Sequence, residues 1–305
     1  MDWIDNQAVL HCLPPPFQRY AGKVRLACRI PGRRLIDPYL FGYLNRIKSE
    51  VIDEMRRTRQ PDTALVKFPD KQMFVDLYDQ RVWLVLTEAL GTNAETRTLQ
   101  ALLKPGDTFL DIGANHGTYS MVAGAVVGAS GKVISFEPQP RLAGLVRQSA
   151  EANGFAHLTV KEVALSDTTG TAEFFVPEFS GTAGLHKAFS AQGAHNSFPV
   201  TLMPLDDFLA GVELPGNVLI KMDVEGNELK VIRGGERFLR ERRPKIFLEV
   251  NEASLNAAGT SEREVLTALQ DYGYSQFARI EHFPEQIPLA NYPYGEKEQR
   301  NIIVS

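Results

Sequence analysis

Apolar residues recur along the second half of this chain in two alternating patterns. Short and almost wholly apolar runs at Lys132–Phe136, Val218–Met222 and Lys245–Val250 predict buried strands. Longer segments between them, such as 117–128, carry apolar residues on one face of a predicted helix. Strands that alternate with helices in this way predict an α/β fold, in which helices cover both faces of a parallel sheet.

The N-terminal region follows a helical pattern instead. Apolar residues recur at three- and four-residue steps, at Leu40, Leu44, Ile47, Val51 and Met55. Basic residues follow them, and the helix is predicted to end before Pro61. We therefore expect residues 1–70 to be a mainly helical extension, serving as a lid or a dimerisation arm, and residues 71–305 to be the main domain. A dimerisation arm would make the protein a homo-oligomer.

The strand and helix alternation breaks after the third strand of the series. Strand patterns at 171–176 and 198–203 flank a stretch of small residues that has no helical period. We interpret this as a β-hairpin-like insertion, flexible near 178–198, because a loop this long in a compact domain is usually functional or mobile. His186 and His195 lie in it, and we expect exposed polar residues there because their spacing matches no metal site.

Composition excludes several classes of protein. Of 305 residues, 44% are hydrophobic and 23% are charged, which is ordinary for a globular protein. The net charge of -4 gives no reason to expect a nucleic-acid partner. Two cysteines are too few for a disulfide framework or a four-cysteine zinc site. An acidic N-terminus and the lack of a long apolar run lead us to expect a cytoplasmic protein with no membrane span.

Candidate chemistry begins in the segment TFLDIGANHGTYS. It is predicted to be a strand that ends in Asp111, followed by a turn with Gly113 and Gly117 and then a helix. Such turns present backbone N–H groups to ligands. The spacing differs from the G-x-G-x-x-G of dinucleotide enzymes and favours another small-molecule cofactor. The alternative is a tight turn that needs glycine for its conformation alone.

Acidic residues stand where four predicted strands end: Asp111, Glu137, Asp223 and Glu249. These strand ends meet at one edge of a parallel sheet, where ligands bind. Glu137 occupies the position at which an α/β fold places an acid that binds a ribose diol, and its charge would repel a 2′-phosphate. Asp223 could hold an ammonium group or a metal, or orient a substrate hydroxyl.

Together these motifs resemble the FkbM-type methyltransferases over approximately residues 90–250. The matching segments are DIGANHG at 111–117, FEP at 136–138, ALSD at 164–167, KMDVEGNE at 221–228, RGG at 233–235, Arg243-Pro244 and Glu249. The resemblance implies a class I methyltransferase fold, Rossmann-like, with a mostly parallel seven-stranded sheet. It also implies that S-adenosylmethionine is the cofactor, and that a hydroxyl oxygen of a small molecule, a sugar or a natural product, accepts the methyl group.

The resemblance assigns eight residues to the cofactor: Asp111, Gly113, Asn115, Gly117, Glu137, Ser166, Asp167 and Asp223. The glycine turn would run beside the methionine part, and Glu137 would bind the ribose hydroxyls. Ser166 and Asp167 would lie near the adenine. Asp223 would face the transferred methyl group.

Methyl transfer to a hydroxyl also requires that the hydroxyl lose its proton. Our hypothesis is that Asp223, Glu225 or Glu249 is the general base, because these acids lie at strand ends. In the competing hypothesis Asp223, Glu249 and Asn251 hold a magnesium-like ion, so a divalent metal is possible but is not predicted. Glu225 could instead stabilise a helix start, as could Glu228.

Two other functions remain as alternatives. One is a non-catalytic protein that binds an adenosyl cofactor on a degenerate methyltransferase domain, although no expected acid or glycine is missing. The other is an NAD-dependent oxidoreductase, which the lack of G-x-G-x-x-G disfavours. Aromatic residues that could line an acceptor pocket, but at such spacing are more often core, are Tyr39, Phe41, Tyr43, Tyr78 and Trp83.

Overall fold

The architecture comes from a computed structural model of the chain. It describes residues 6–28, 38–177, 180–187, 196–295 and 300–305, with the backbone alone for 22–28 and 38–47. The side chains of Tyr39, Phe41 and Tyr43, and the whole of His195, lie outside the described residues.

Helices dominate the N-terminal region, as predicted. Its elements are the helices Gln7–His11 (α1), Pro15–Cys28 (α2) and Pro38–Arg57 (α3), and the antiparallel hairpin Thr63–Lys67 (β1) and Gln72–Asp76 (β2). Arg56 and Arg57 lie in the last turn of α3, where positive charge complements the helix dipole. The predicted end of this helix before Pro61 is confirmed.

The main domain begins with two helices, Val82–Ala89 (α4) and Ala94–Leu102 (α5). Its strands are Thr108–Ile112 (β3), Lys132–Phe136 (β4), Leu158–Lys161 (β5), Ala164–Ser166 (β6), Gly170–Val176 (β7), Asn196–Pro204 (β8), Val218–Met222 (β9), Lys245–Val250 (β10), Gln276–Arg279 (β11), Ile287–Pro288 (β12) and Arg300–Val304 (β13). Its other α-helices are Thr118–Val127 (α6), Pro140–Ala152 (α7), Leu205–Leu209 (α8), Glu228–Gly234 (α9), Glu236–Arg242 (α10), Glu252–Ala257 (α11) and Glu262–Asp271 (α12).

The central sheet has the strand order β12-β11-β13-β10-β9-β3-β4-β5. The five strands from β10 to β5 are parallel, and β13 is antiparallel to both of its neighbours. Seven of these strands are the predicted mostly parallel sheet of a class I methyltransferase. The eighth, β12, is a two-residue strand that extends one edge.

Alternate residues of the central strands enter two separate hydrophobic cores. Phe109 packs on one face with residues of α4 and α6, whereas Leu110 packs on the other face with residues of α9 and α12. This alternation follows from the two-residue period of a strand. The predicted layers of helices on both faces of the sheet are therefore confirmed.

A second sheet of three strands, in the order β6-β8-β7, carries the insertion. Strands β7 and β8 pair antiparallel, so the predicted hairpin is confirmed, while its flexibility stays a prediction. The short strand β6 was not predicted. In the part of the chain that is described, no helix combines the length and apolar composition needed to cross a membrane.

Two short helices, α9 and α10, fill the segment between β9 and β10. Gly235 ends the first and begins the second. Next to it, Gly234 lies so close to β6 that a Cβ atom would come within 1.9 Å of the carbonyl oxygen of Ser166. Glycine is required at Gly234 because backbone packs directly on backbone.

Trp83 joins the N-terminal helices to the main domain. Its ring stacks on Phe17 with centroids 4.6 Å apart and lies 4.2 Å from the ring of Tyr20. Both partners come from α2, and all three side chains are buried. Trp83 is therefore a core residue, while the role of the extension as a lid or a dimerisation arm stays a prediction.

We expect Trp83→Ala to lower the free energy of unfolding by about 3–5 kcal/mol, because it removes a large buried ring and leaves a cavity. Denaturant unfolding of the full chain measures this. The matched control is Leu84→Ala on the same helix, where the side chain is 47% exposed and a change within about 0.5 kcal/mol is expected. Equal effects at both positions would contradict the docking role of Trp83.

Candidate active site

A cleft of about 420 Å³ opens where strands of the central sheet have their carboxyl ends. Its volume is in the range of small-molecule sites. Six of the predicted site residues line it: Gly113, Asn115, Glu137, Asp223, Glu225 and Glu249. The other four, Asp111, Gly117, Ser166 and Asp167, are not part of its lining.

The glycine turn after β3 is held by the protein itself. Gly113 has a φ of 83°, and a Cβ atom there would lie 1.9 Å from the carbonyl oxygen of Asp223. The N–H groups of Gly113 and Ala114 both donate to the carbonyl of Phe136 at 3.0 Å. The N–H of Asn115 donates to Glu137. These amides are already engaged within the protein, and the assignment of the turn to the cofactor stays a prediction.

Glu137 instead presents a carboxylate that the backbone orients. Its Oε2 accepts from the N–H of Asn115 at 2.7 Å, and its Oε1 accepts from the N–H of Gln139 at 2.8 Å. Burial raises the pKa of Glu137 to about 7, although these hydrogen bonds oppose the shift. Each carboxylate oxygen keeps a further lone pair that can accept from a ribose hydroxyl.

Asp223, Glu225 and Glu249 form an acid cluster in which one oxygen of each lies within 4.8 Å of the others. Asp223 follows β9 directly, Glu249 lies on the neighbouring β10, and Glu225 occupies the turn after β9 with a φ of 51°. Lys221, buried on β9, donates to Oδ2 of Asp223 at 2.9 Å. The cluster therefore combines three carboxyl groups with one ammonium.

These neighbours give the three acids different charges. Burial opposes ionisation of Asp223, but the Lys221 ammonium and a hydrogen bond from Glu249 hold the pKa of Asp223 well below its usual range. Burial and the charge of Asp223 raise the pKa of Glu249 and that of Glu225 well above the usual range. Asp223 is therefore the most readily ionised of the three acids, and Glu225 and Glu249 hold their protons to higher pH than an ordinary glutamate.

Asp111 lies beneath this cluster rather than in the cleft. It is fully buried, and Ser120 Oγ donates to its Oδ2 at 2.5 Å. Burial raises the pKa of Asp111, and the charge of Lys221 opposes that shift. Asp111 therefore contributes to the electrostatics of the cleft floor.

The predicted adenine residues lie outside the cleft lining. The carbonyl of Ser166 packs on Gly234, and Asp167 is exposed. The preceding residues, Val163, Ala164 and Leu165, line the cleft in their place.

A metal ion would need the same acid cluster. Three carboxylates at this spacing suit a divalent cation. However, Lys221 already supplies a positive charge to Asp223, and Oδ1 of Asn251 caps α11 by accepting from the N–H groups of Ala253 and Ser254. The arrangement therefore favours an acid cluster balanced by Lys221 and by bound protons over one that holds a metal ion.

The insertion closes one side of the cleft. The amide Nδ2 of Asn115 lies 3.1 Å from Ser180 Oγ, and the N–H of Ser180 donates to Asp79 at 3.1 Å. Residues 180–185 line the cleft. His186 follows them but does not line the cleft, and it is partly buried rather than exposed as expected.

Sequence reasoning assigned no role to two cations of the cleft. Lys221 was quoted only as part of a motif, and the signal for its role is a lysine inside an otherwise apolar strand. Arg81 lines the cleft and pairs with Glu88 through contacts of 3.0 and 3.2 Å. No local pattern distinguishes Arg81 from a surface arginine.

Comparison with known proteins agrees with this geometry. The Methyltransferase FkbM domain matches residues 111–275. The chain belongs to the FkbM methyltransferase family. Membership of a methyltransferase family implies S-adenosylmethionine as the methyl donor, and the orienting hydrogen bonds of Glu137 fit the ribose of that molecule. The buried amides of Gln139 and Asn227, which each have one atom without a partner among the described residues, are further polar groups for it.

Three curated relatives are similar over part of the chain. 2-O-methyltransferase NoeI of Sinorhizobium fredii is 29% identical over 60% of this chain and 80% of its own. 31-O-demethyl-FK506 methyltransferase FkbM of Streptomyces tacrolimicus is 27% identical over 61% and 77%. Hexuronic acid methyltransferase AglP of Haloferax volcanii is 24% identical over 51% of this chain and 60% of its own, which is less than two thirds of that relative. Membership of a methyltransferase family excludes the alternative that the protein is an NAD-dependent oxidoreductase.

We expect S-adenosylhomocysteine to bind about tenfold more weakly at pH 6 than at pH 8. Ribose hydroxyls donate to the ionised form of Glu137. Because the pKa of Glu137 is about 7, this carboxylate becomes protonated as the pH falls, and the ligand then binds more weakly. Calorimetric titration across this range measures the dependence, and Glu137→Gln should bind weakly with little pH dependence.

The control is Glu228→Gln, because burial also raises the pKa of Glu228 to about 7. This carboxyl accepts from the N–H groups of Val224 and Gly226, so its loss affects the turn after β9. The pH dependence should survive in this variant. If it disappears in Glu228→Gln and persists in Glu137→Gln, the assignment to Glu137 is wrong.

Proposed function

We propose that this protein transfers a methyl group from S-adenosylmethionine to a hydroxyl oxygen of a sugar or a natural product. The observation that carries the proposal is the carboxyl group of Asp223 at the cleft, which lies between the buried ammonium of Lys221 and the carboxyl group of Glu249. The names of NoeI and of the Streptomyces FkbM specify oxygen as the methylated atom, and the name of AglP specifies a hexuronic acid. These relatives support both the reaction and the acceptor class.

The chemistry needs an oriented hydroxyl and a place for its proton. S-adenosylmethionine supplies a methyl group that its sulfonium has already activated. Asp223 would accept the proton of the acceptor hydroxyl when that oxygen takes the methyl group and S-adenosylhomocysteine is left. Exclusion of water and alignment of the hydroxyl provide the remaining rate enhancement.

Among the three acids, charge assigns Asp223 the role of base. Burial and the charge of Asp223 raise the pKa of Glu225 and that of Glu249, so Asp223 is the acid that ionises first and is available to accept a proton. In this proposal Glu249 orients Asp223 through their hydrogen bond, and Glu225 shapes the turn. The pair titrates as a unit, so a pH–rate profile reports the pair rather than either residue alone.

The acceptor side of the cleft comes from other elements. Residues of α4, α5 and the loop between them line it, at Leu84, Thr87, Glu88, Asn93 and Glu95. Asn251 and Asn301 line the cleft as well. Such polar groups suit a hydroxylated acceptor. The expected cytoplasmic location, the homo-oligomer and the lack of a nucleic-acid partner stay predictions.

Asp223→Asn should lower the methyl-transfer rate at saturating cofactor by about 10²–10⁴-fold, because it removes the base. Transfer of labelled methyl to a panel of sugar, polyketide and peptide acceptors identifies a substrate and then measures the rate. Glu249→Gln is the matched control, since its amide N–H can still donate to Asp223, and its effect should be smaller. Glu225→Gln should also retain more activity than Asp223→Asn. Unchanged rates in all three variants would refute the proposed base.

Exhaustive chelation should leave the methyl-transfer rate unchanged, because Lys221 rather than a metal neutralises Asp223. The rate is measured before and after treatment with a strong chelator that is then removed. Loss of activity that added Mg²⁺ restores would instead assign the acid cluster to a metal ion.

A further inference from the structure

Asn227 is a buried cleft residue with one unsatisfied polar atom. It follows Asp223 by four positions, lines the cleft and is 2% exposed. Its Nδ2 donates to the carbonyl oxygen of Leu165 at 2.7 Å. Its Oδ1 has no hydrogen-bond partner among the residues that the structure describes. A buried amide oxygen without a donor is costly, so a ligand donor at this point would be stabilising.

The bond to Leu165 determines which end of the amide is unsatisfied. Turning the amide over would place Oδ1 of Asn227 against the carbonyl oxygen of Leu165, and two acceptors in contact repel each other. The nitrogen therefore belongs to Leu165, and the oxygen is the atom left over. Asn227 therefore holds a buried hydrogen-bond acceptor without a donor among the described residues, in a side chain that lines the cleft.

The surroundings of this acceptor are apolar. Leu165 and its neighbours Val163 and Ala164 line the cleft beside Asn227, as does Val224 from the turn that precedes it. Phe136 and Pro138, which flank Glu137 in the chain, also line the cleft. A flat, largely apolar ring with one outward-facing N–H group matches a wall of this composition.

We propose that Oδ1 of Asn227 accepts a hydrogen bond from the exocyclic amine of the adenine of S-adenosylmethionine. Asn227 is then a specificity-determining residue, which distinguishes a 6-amino purine from a 6-oxo purine. This assignment replaces Ser166 and Asp167 as the residues that recognise the base, because neither lines the cleft. The assignment rests on the proposed function only in requiring the adenosyl cofactor to occupy this cleft. It does not depend on the methyl acceptor or on which acid is the general base.

The test compares two ligands that differ at the purine 6-position, S-adenosylhomocysteine and S-inosylhomocysteine. Calorimetric titration of the full chain gives Kd for each, without any turnover. The wild type should prefer the adenosyl ligand by at least about tenfold, since the oxo group presents a second acceptor to Oδ1 and leaves it unsatisfied. Asn227→Ala should reduce this ratio to about one.

Controls separate recognition of the base from a merely structural effect. A general loosening of the site weakens both ligands and leaves their ratio unchanged. Asn227→Asp should keep the preference, because a buried, protonated carboxyl can donate to Leu165 and still offer an acceptor oxygen. Asp167→Ala should leave the ratio as in the wild type.

The proposal is overturned if the wild type binds the two ligands equally, which remains measurable even if the Ala variant does not fold. It is also overturned if the ratio survives in Asn227→Ala or is lost in Asp167→Ala. If the wild type binds neither ligand, the cofactor site itself is misplaced and the proposed function fails with it. Binding of both ligands without discrimination removes only the role of Asn227.

Discussion

The ion pair between Lys221 and Asp223 determines the chemical state of the cleft. A parallel sheet brings the carboxyl ends of its strands to one edge, and here that edge carries several buried carboxyl groups. Burial disfavours charge, so they cannot all ionise together. One lysine, placed on β9 opposite Asp111 of β3, lies within reach of the group. It lowers the pKa of Asp223, while burial raises the pKa of its neighbours Glu225 and Glu249.

The cofactor side depends on an equally local constraint, the contact between the ends of neighbouring strands. Gly113 lies directly against the carbonyl of Asp223, and Phe136 accepts from the first two amides of the glycine turn. Glu137, which follows β4 directly, accepts a hydrogen bond from Asn115 in the same turn. Glu137 and Asp223 are therefore positioned by contacts among three neighbouring strand ends, those of β4, β3 and β9, so a change in the middle strand end would affect both.

The cleft is built from two parts of the chain. The residues that match the family, 111–275, contain the glycine turn, Glu137 and the acid cluster. Leu84 and Glu95, which also line the cleft, precede this region. Leu84 lies on α4, and the neighbouring Trp83 packs on Phe17 and Tyr20 of α2. The N-terminal helices therefore pack against a helix that lines the cleft.

Local patterns in the sequence were sufficient to predict the strands and helices of the main sheet. A buried strand or helix face requires apolar residues at a characteristic spacing, and that spacing is visible in the chain. They also placed Glu137, Asp223 and Glu249 at one edge, since parallel strands leave no other arrangement. Tertiary structure alone decided how the acids differ in pKa and which polar atoms remain unpaired. The sequence marks Lys221 as a lysine in an apolar strand, but its closeness to Asp111 and Glu249 comes from neighbouring strands. Asn227 bonds to Leu165 on another strand, and the pKa of Glu249 is raised by burial beside Asp223. Such properties depend on distances between segments that are far apart in the chain.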